Sequence, residues 1–290
     1  MFKSPGVELK TIVELRDVIR KGKYHDFTNV APYISPEEFG RGDGGPGAGG
    51  GGCNIVPSII HFIWIGSVVP EKYVKNMMTY YEKNPVYIIY FWHDCDVSEG
   101  DMGDLWGKKN FVFKSLKKDQ YDVNIRNKYI FENETNMGCK ADIIRYEIVY
   151  QYGGIYADID SVCINGFDGY FKMPLLSYTD RQRWNNVQNA FFAFPKKYLF
   201  LDYLIQCLRW SYYDVTHKKD IPSIAGPTFV TKHLYLFNDT NIKCIHQKHI
   251  IFKGAGYGTG GGRGSGGPQY TYHTMDRNWK KPRSQLVSPK

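Results

Sequence analysis

An α/β fold, with a mostly parallel sheet flanked by helices, is predicted by three observations on this 290-residue chain. Two runs rich in β-branched and aromatic residues, Ile59 to Ile65 (IIHFIWI) and Val86 to Trp92 (VYIIYFW), flank a helical stretch that opens at Pro70 (PEKYVKNMMTYYEKN). Strand, helix and strand at that spacing form the βαβ unit of a parallel sheet. Further on, a helical segment passes through Gly153-Gly154 into a short apolar run ended by Asp158 and Asp160. The length suffices for one large domain with its own core.

Before the sheet, Val7 to Arg20 carries apolar residues at Val7, Leu9, Ile12, Val13, Leu15, Val18 and Ile19. This pattern predicts an amphipathic helix docked as a support, within an N-terminal helical appendage over 1–39. A glycine-rich linker follows at 40–54, and a second glycine-rich tract at 254–267 reads as a flexible loop. The two tracts hold more than half of the 30 glycines, and neither buries enough apolar surface to offset its ordering entropy. The α/β domain thus spans 55–279, and 280–290 is a basic tail.

Within the domain, the βαβ helix has proline at its first turn, where the missing N–H costs nothing. The segment Ala141 to Asp160 (ADIIRYEIVYQYGGIYADID) places Asp142 and Arg145 three residues apart, on one face and on the first turn of a helix. Ile144, Ile148 and Val149 supply apolar positions at helical spacing. The glycine pair ends the helix, and Ile155 to Asp160 reads as a strand. Carboxylates one residue apart at a strand's carboxyl end suit a hard divalent cation that also takes oxygens from a diphosphate.

Composition is that of a globular enzyme, 42% hydrophobic and 23% charged. The six cysteines are scattered without a C-x-x-C pair, which argues against a zinc module and a disulfide scaffold. The net charge of +8 collects at Arg20 to Lys23, Lys117-Lys118 and Lys280 to Arg283. With no aromatic-interleaved basic motif, these read as solvated surface rather than a nucleic-acid site, and leave peripheral contact with an anionic membrane open. No stretch approaches the ~20 apolar residues that span a bilayer, so a soluble, cytoplasmic protein is expected.

The DxxR helix, the GG(I/M)Y turn and the D-x-D strand end together resemble the sugar-binding region of the DXD glycosyltransferases. That family groups fungal initiating mannosyltransferases, capsular and viral sugar transferases, and the clostridial glucosylating toxins. The resemblance implies the GT-A (Rossmann-like) fold, a nucleotide-sugar donor, and Mn²⁺ or Mg²⁺ as cofactor. It implies that Asp160 ligates the metal and that Asp158 contacts the ribose or donor sugar and the metal's surroundings. Asp142 and Arg145 grip sugar hydroxyls, and Tyr156 lies close to the ribose. Trp64, a core aromatic by residue type alone, matches the tryptophan that stacks on the base. Asn189 (QNAFFAF) matches an Asn that bonds donor-sugar hydroxyls, against the local reading of a turn Asn bonding its own backbone. Gly226-Pro227 matches a segment on the acceptor side. His273 and Trp279 match a C-terminal segment in which the His lies near the metal and the Trp bonds the β-phosphate; a lone surface His is the alternative for His273. Asn278 stands where the family has Ser. The absence of an anchor favours a bacterial-like or viral member, in the second case in the host cytoplasm. Uridine is preferred as the base, with GDP-mannose second. The acceptor, whether glycan, glycolipid or protein, is not specified.

Two other functions fit parts of the chain. Asp158-Ile159-Asp160-Ser161-Val162 satisfies the D-x-D-x-(T/V) nucleophile motif of haloacid dehalogenase-type phosphatases. That motif normally closes a first strand, whereas half of this chain precedes it. A catalytically inactive nucleotide-sugar-binding module on a transferase scaffold is the third reading, motivated by Asn278 and the glycine tracts.

Overall fold

The computed structural model describes residues 9–11, 55–167, 169–179, 187–213, 221–237, 239–246, 249–252 and 269–273. Strands are β1 (Leu9–Thr11), β2 (Ile59–Trp64), β3 (Ile88–His93), β4 (Phe111–Ser115), β5 (Gly154–Ala157), β6 (Ser161–Cys163), β7 (Leu175–Tyr178), β8 (Val187–Phe194), β9 (Lys243–His246), β10 (Ile250–Phe252) and β11 (Thr271–His273). Helices are α1 (Glu71–Lys83), α2 (Glu99–Met102), α3 (Lys128–Asn133), α4 (Met137–Tyr152), α5 (Leu199–Tyr213), α6 (Ile221–Ile224) and α7 (Pro227–Phe237).

Eight strands form one sheet in the order β1-β9-β7-β8-β5-β2-β3-β4. β2, β3, β4 and β5 run parallel, β7 is parallel to β9, and β8 and β1 are antiparallel to their neighbours. A smaller sheet, β10-β11-β6, contains the two strands that flank the functional cluster described below. The predicted α/β architecture with a mostly parallel sheet is therefore observed. β2 is central, which is why IIHFIW is an unbroken apolar and aromatic run rather than an alternating one.

Alternate residues divide between two cores. Ile60 and Phe62 of β2, with Phe191 and Ala193 of β8, pack beside Tyr73, Val74, Met77 and Tyr80 of α1. Ile63, Phe192 and Phe194 face the opposite layer, with Ile143 and Ile148 of α4, Leu204 of α5 and Phe229 of α7. Helices on both faces follow from this period-two division. α4 is buried at every position from Asp142 to Val149, so its polar residues face protein rather than water.

Several boundaries differ from expectation: β5 ends at Ala157, so Asp158 and Asp160 lie in the loop after it, and β3 starts at Ile88 rather than Val86. α4 begins at Met137, capped by the Asn136 side chain accepting from the Cys139 N–H at 3.0 Å; Asp142 and Arg145 therefore lie beyond its first turn. Leu9–Thr11, expected as helix, is a strand paired antiparallel with β9. The edge of β9 offers unpaired backbone groups, and Leu9–Thr11 satisfies them. The rest of the expected helix, the tracts at 40–54 and 254–267, and the tail at 280–290 lie outside the described residues.

The turn from α4 to β5 needs its glycines. Gly153 and Gly154 have φ of 67° and 111°, and a Cβ on Gly154 would come within 2.6 Å of the Ile59 carbonyl oxygen. The same corner is pinned by His61 of β2. Its Nε2–H donates to the Gly153 carbonyl at 2.7 Å, and its Nδ1 accepts from the Trp92 indole N–H at 3.1 Å. Accepting from Trp92 requires the neutral imidazole, and burial lowers the His61 pKa from 6.5 to about 4 against the pull of the Gly153 carbonyl.

Because the folded pKa lies below the unfolded one, the unfolded chain binds the extra proton first. The stability His61 contributes is present above pH 6.5 and is lost as the pH falls toward 4. At ~1.4 kcal/mol per pKa unit the loss is on the order of 3 kcal/mol. Urea unfolding at pH 7 and pH 5 is expected to show a steeper loss in the native protein than in His61→Gln. Equal slopes would contradict the assignment.

Candidate active site

Asp158 and Asp160 follow β5 at its carboxyl end, as the ligand position of an open α/β sheet requires. Their loop is held by a polar stripe on α1. Asn76 Nδ2 donates to the Ile159 carbonyl at 3.0 Å, and Thr79 Oγ1 accepts from the Cys163 N–H at 2.8 Å. Ser161 Oγ donates to the Asp158 carbonyl at 2.5 Å, so the bond between Tyr80 and Ser161 at 2.6 Å runs from the tyrosine hydroxyl.

α4 delivers Asp142 and Arg145. The guanidinium meets Asp142 Oδ1 at 2.8 Å and Asp158 Oδ1 at 3.2 Å. It also donates to the Asn189 carbonyl at 2.7 Å and to Ala141 O at 3.1 Å, and lies 4.4 Å above the Tyr156 ring. The Tyr156 hydroxyl donates to Asp158 Oδ1 at 2.7 Å. Asn189 Nδ2, on β8, reaches Asp142 Oδ1 at 2.8 Å. These are side-chain partners from other elements, so Asn189 is more than a turn residue satisfying its own backbone.

β11 brings in His273, 115 residues from Asp158 in sequence. Its Nε2 is 3.2 Å from Asp158 Oδ2 and 2.9 Å from Asp160 Oδ1. The residue is 7% exposed, which excludes the lone surface histidine. Asp158, Asp160 and His273 each offer a ligand atom within 4.8 Å of the others. Two carboxylate oxygens and an imidazole nitrogen fit a six-coordinate divalent ion such as Mn²⁺ or Mg²⁺ that keeps positions for other oxygens; imidazole favours the former.

The electrostatics are those of a buried charge network. Burial alone would pull the His273 pKa down, but the Asp160 and Asp158 carboxylates outweigh it and raise it to about 10. Burial also works against the Asp158 carboxylate, yet Arg145 and His273 hold it below the usual range. For Asp142 burial wins over Arg145 and lifts the carboxyl to about 6.

Trp64 ends β2 on the same side of the sheet. Its indole N–H reaches Ser67 Oγ and the Val68 carbonyl, both at 3.2 Å, and its ring lies 5.0 Å from that of Tyr73. It is partly exposed rather than a full core residue. Trp279 and Asn278 lie outside the described residues. The structure thus gathers Asp142, Arg145, Tyr156, Asp158, Asp160, Asn189 and His273 into one network. Sequence reasoning missed the stripe Asn76, Thr79 and Tyr80, and it missed Tyr146; the polar residues interrupting the apolar face of α1 were the available signal.

Paired carboxylates, a guanidinium and a histidine thus gather at the carboxyl end of a mostly parallel sheet. Residues 70–181 match the family described as "Glycosyltransferase sugar-binding region containing DXD motif". That match includes Asp158 to Val162 and favours a sugar transferase over the phosphatase reading of the same residues.

Among curated proteins, "Subversion of eukaryotic traffic protein A" of Legionella pneumophila is 26% identical over 225 residues, 66% of this chain and 35% of that protein. "Inositol phosphoceramide mannosyltransferase 3" of Schizosaccharomyces pombe is 28% identical over 146 residues, 50% of this chain and 35% of that protein. The chain thus spans about a third of the length of these relatives. Among solved structures, "PaToxG Glycosyltransferase" superposes with a TM-score of 0.51 at 23% identity, covering 63% of this chain and 69% of that one, which supports the fold.

Gly226 marks how tightly the site is closed. A Cβ there would lie 2.8 Å from Pro222 Cα and 3.3 Å from Asp142 Oδ2. Gly226→Ala must shift backbone or the carboxylate, and a destabilisation of about 1–3 kcal/mol is expected from urea unfolding. A change below ~0.5 kcal/mol would show that the turn yields freely.

Proposed function

We propose that this chain transfers a hexose from a nucleotide-diphosphate sugar to an acceptor, with a divalent metal ion held by Asp158, Asp160 and His273. The observation that carries the reading is the single Nε2 of His273 within 3.2 Å of both DXD carboxylates, beside the Arg145 pairs with Asp142 and Asp158. Mn²⁺ is the favoured ion and Mg²⁺ the second. Bound there, the ion supplies Lewis-acid neutralisation of the departing diphosphate. Asp142, Arg145 and Asn189 bind hydroxyls of the donor sugar, Tyr156 borders the ribose, and Trp64 stacks on the base, with area and low rotamer entropy suited to that task. Trp279 grips the β-phosphate.

In this reading Arg145 does two jobs. Its charge keeps Asp158 ionised, as its lowered pKa indicates, and its fork fixes where Asp142 meets the sugar. The reading assigns no enzymic nucleophile. Transfer proceeds by front-face displacement within an ion pair, with retention of anomeric configuration.

UDP-sugar is the favoured donor, from the likeness of the segment around Trp64 to the toxins. GDP-mannose is the second, supported by the match to a fungal mannosyltransferase over half of this chain. That relative's name refers to inositol phosphoceramide, which favours a glycolipid among the acceptor classes. Among the described residues no helix is long and apolar enough to cross a membrane, so a lipid acceptor would be met by peripheral contact.

The test is release of UDP from UDP-sugars, and of GDP from GDP-mannose, with Mn²⁺ and with EDTA. Asp158→Asn and Asp160→Asn are each expected to lower turnover at least about a hundredfold, more than is typical for an outer partner of a metal ligand. The rise in melting temperature that Mn²⁺ gives the native protein should shrink in both. Undiminished turnover in EDTA would sink the proposal, and nucleotide-sugar binding without any turnover would identify an inactive module.

A further inference from the structure

One hydroxyl in the Asp142 network has no part in the donor reading. Tyr146 follows Arg145 on α4 and is 1% exposed, its ring 6.1 Å from Phe192 and 6.2 Å from Phe229. Its Oη is 2.5 Å from the Ala225 carbonyl and 3.1 Å from Asn189 Nδ2.

The directions of these bonds follow from donor and acceptor chemistry. A carbonyl only accepts, so the phenolic proton goes to Ala225. The phenolic oxygen then has only lone pairs to offer Asn189. On its other side the Asn189 amide meets Asp142 Oδ1 at 2.8 Å, and an ionised carboxylate likewise only accepts. An amide between two acceptors must turn its NH₂ toward both. All hydrogen bonds of the Asn189 side chain among the described residues run through Nδ2, which leaves Oδ1 to accept from something else. Asn189 is 4% exposed, so a reversed amide would press its oxygen against the buried Asp142 carboxylate.

We propose that Tyr146 is a positioning residue: its hydroxyl, committed to Ala225, fixes the polarity of the Asn189 amide so that the donor-sugar subsite offers a sugar hydroxyl an acceptor oxygen. The inference rests on the donor-site reading above and adds to it a residue that touches neither metal nor nucleotide. It also ties the Ala225-Gly226 turn, beside Asp142, to the same amide.

Tyr146→Phe keeps the ring and its packing while removing the hydroxyl. The measurements are the Kd of UDP with Mn²⁺, kcat and KM for UDP-sugar hydrolysis, and hydrogen exchange of the Asn189 side-chain amide, its NMR signal assigned by its loss in Asn189→Ala. Affinity for UDP, which lacks the sugar, is expected within about twofold of native. kcat/KM for the UDP-sugar should fall roughly tenfold, the size of one hydrogen bond, mainly through KM. Amide exchange should quicken. In an Asn189→Ala background the same substitution should add less than about twofold, because both act through one contact.

Equal losses for UDP and UDP-sugar would reduce Tyr146 to a packing residue and overturn the proposal, as would full additivity with Asn189→Ala. Unchanged amide exchange in Tyr146→Phe would overturn it whatever the kinetics. A native protein that releases no nucleotide from any UDP-sugar or GDP-mannose would instead remove the donor-site reading, and with it the sugar half of the inference, while the exchange data would still decide the amide contact.

Discussion

Arg145 is the charge on which the rest of the site depends. It is the cation shared by two carboxylates, buried Asp142 and partly buried Asp158, and it also binds the backbone of β8 through the Asn189 carbonyl. Taking a guanidinium out of water is expensive, and only several well-placed partners repay it. Here four oxygens and the face of Tyr156 surround it. Removing such a charge would leave carboxylates buried without compensation, a loss of about 3–5 kcal/mol in comparable cases. Arginine suits this position better than lysine because its planar fork addresses α4, the DXD loop and β8 at once. The ion pair thus serves as a geometric clamp as much as an electrostatic one.

That clamp works because the elements it joins are themselves rigid. α4 runs through the protein between the sheet and α5 and ends at a glycine pair whose tight approach to β2 and to Lys196 admits no Cβ. His61 and Trp92 secure the corner from the neighbouring strands. From there β5 has only four residues before Asp158. Little slack separates the helix that carries Arg145 from the carboxylates it addresses. On the far side α1 holds the outgoing loop by its own side chains, so the DXD carboxylates are fixed from both directions. A site built on a helix and a strand end is more precise than one built on a long loop.

How much of this was legible in the sequence depended on the range of each interaction. The βαβ unit and the helix, glycine pair and strand of 141–160 were readable because hydrophobic period and glycine chemistry act within a few residues. Asp142, Arg145, Asp158 and Asp160 stood out for the same reason, being close together and of distinctive type. The start of α4 was misjudged because its capping residue, Asn136, lies outside the segment that drew attention. Leu9–Thr11 was misjudged because helical and alternating patterns overlap in a short amphipathic run, and the partner that decides, β9, is over 200 residues away in the chain. His273 became legible only through family resemblance, since nothing local distinguishes it from a surface histidine. Tyr146 was readable neither way, and the stripe on α1 showed only as polar residues interrupting an apolar face. Their identities are ordinary for a core helix, and their roles exist only once β8, the Ala225 turn and the DXD loop are beside them.

The same long-range assembly explains why the cluster favours a cation. Two carboxylates within reach of one imidazole nitrogen concentrate negative charge in a place with little water to screen it. In the protein alone, the proton on His273 meets that demand, which is why its pKa rises to about 10 despite burial. In the proposed reading a divalent ion would meet it with twice the charge and would need the imidazole lone pair, so ion and proton would compete for one position. Arg145 neutralises only the inner oxygen of Asp158, Oδ1, while Oδ2 faces His273. One carboxylate therefore divides its two oxygens between Arg145, a permanent cation, and His273, whose position the proposed ion would share. The spacing D-x-D supplies the second carboxylate without moving the first, because the intervening Ile159 is buried and its carbonyl is held by Asn76.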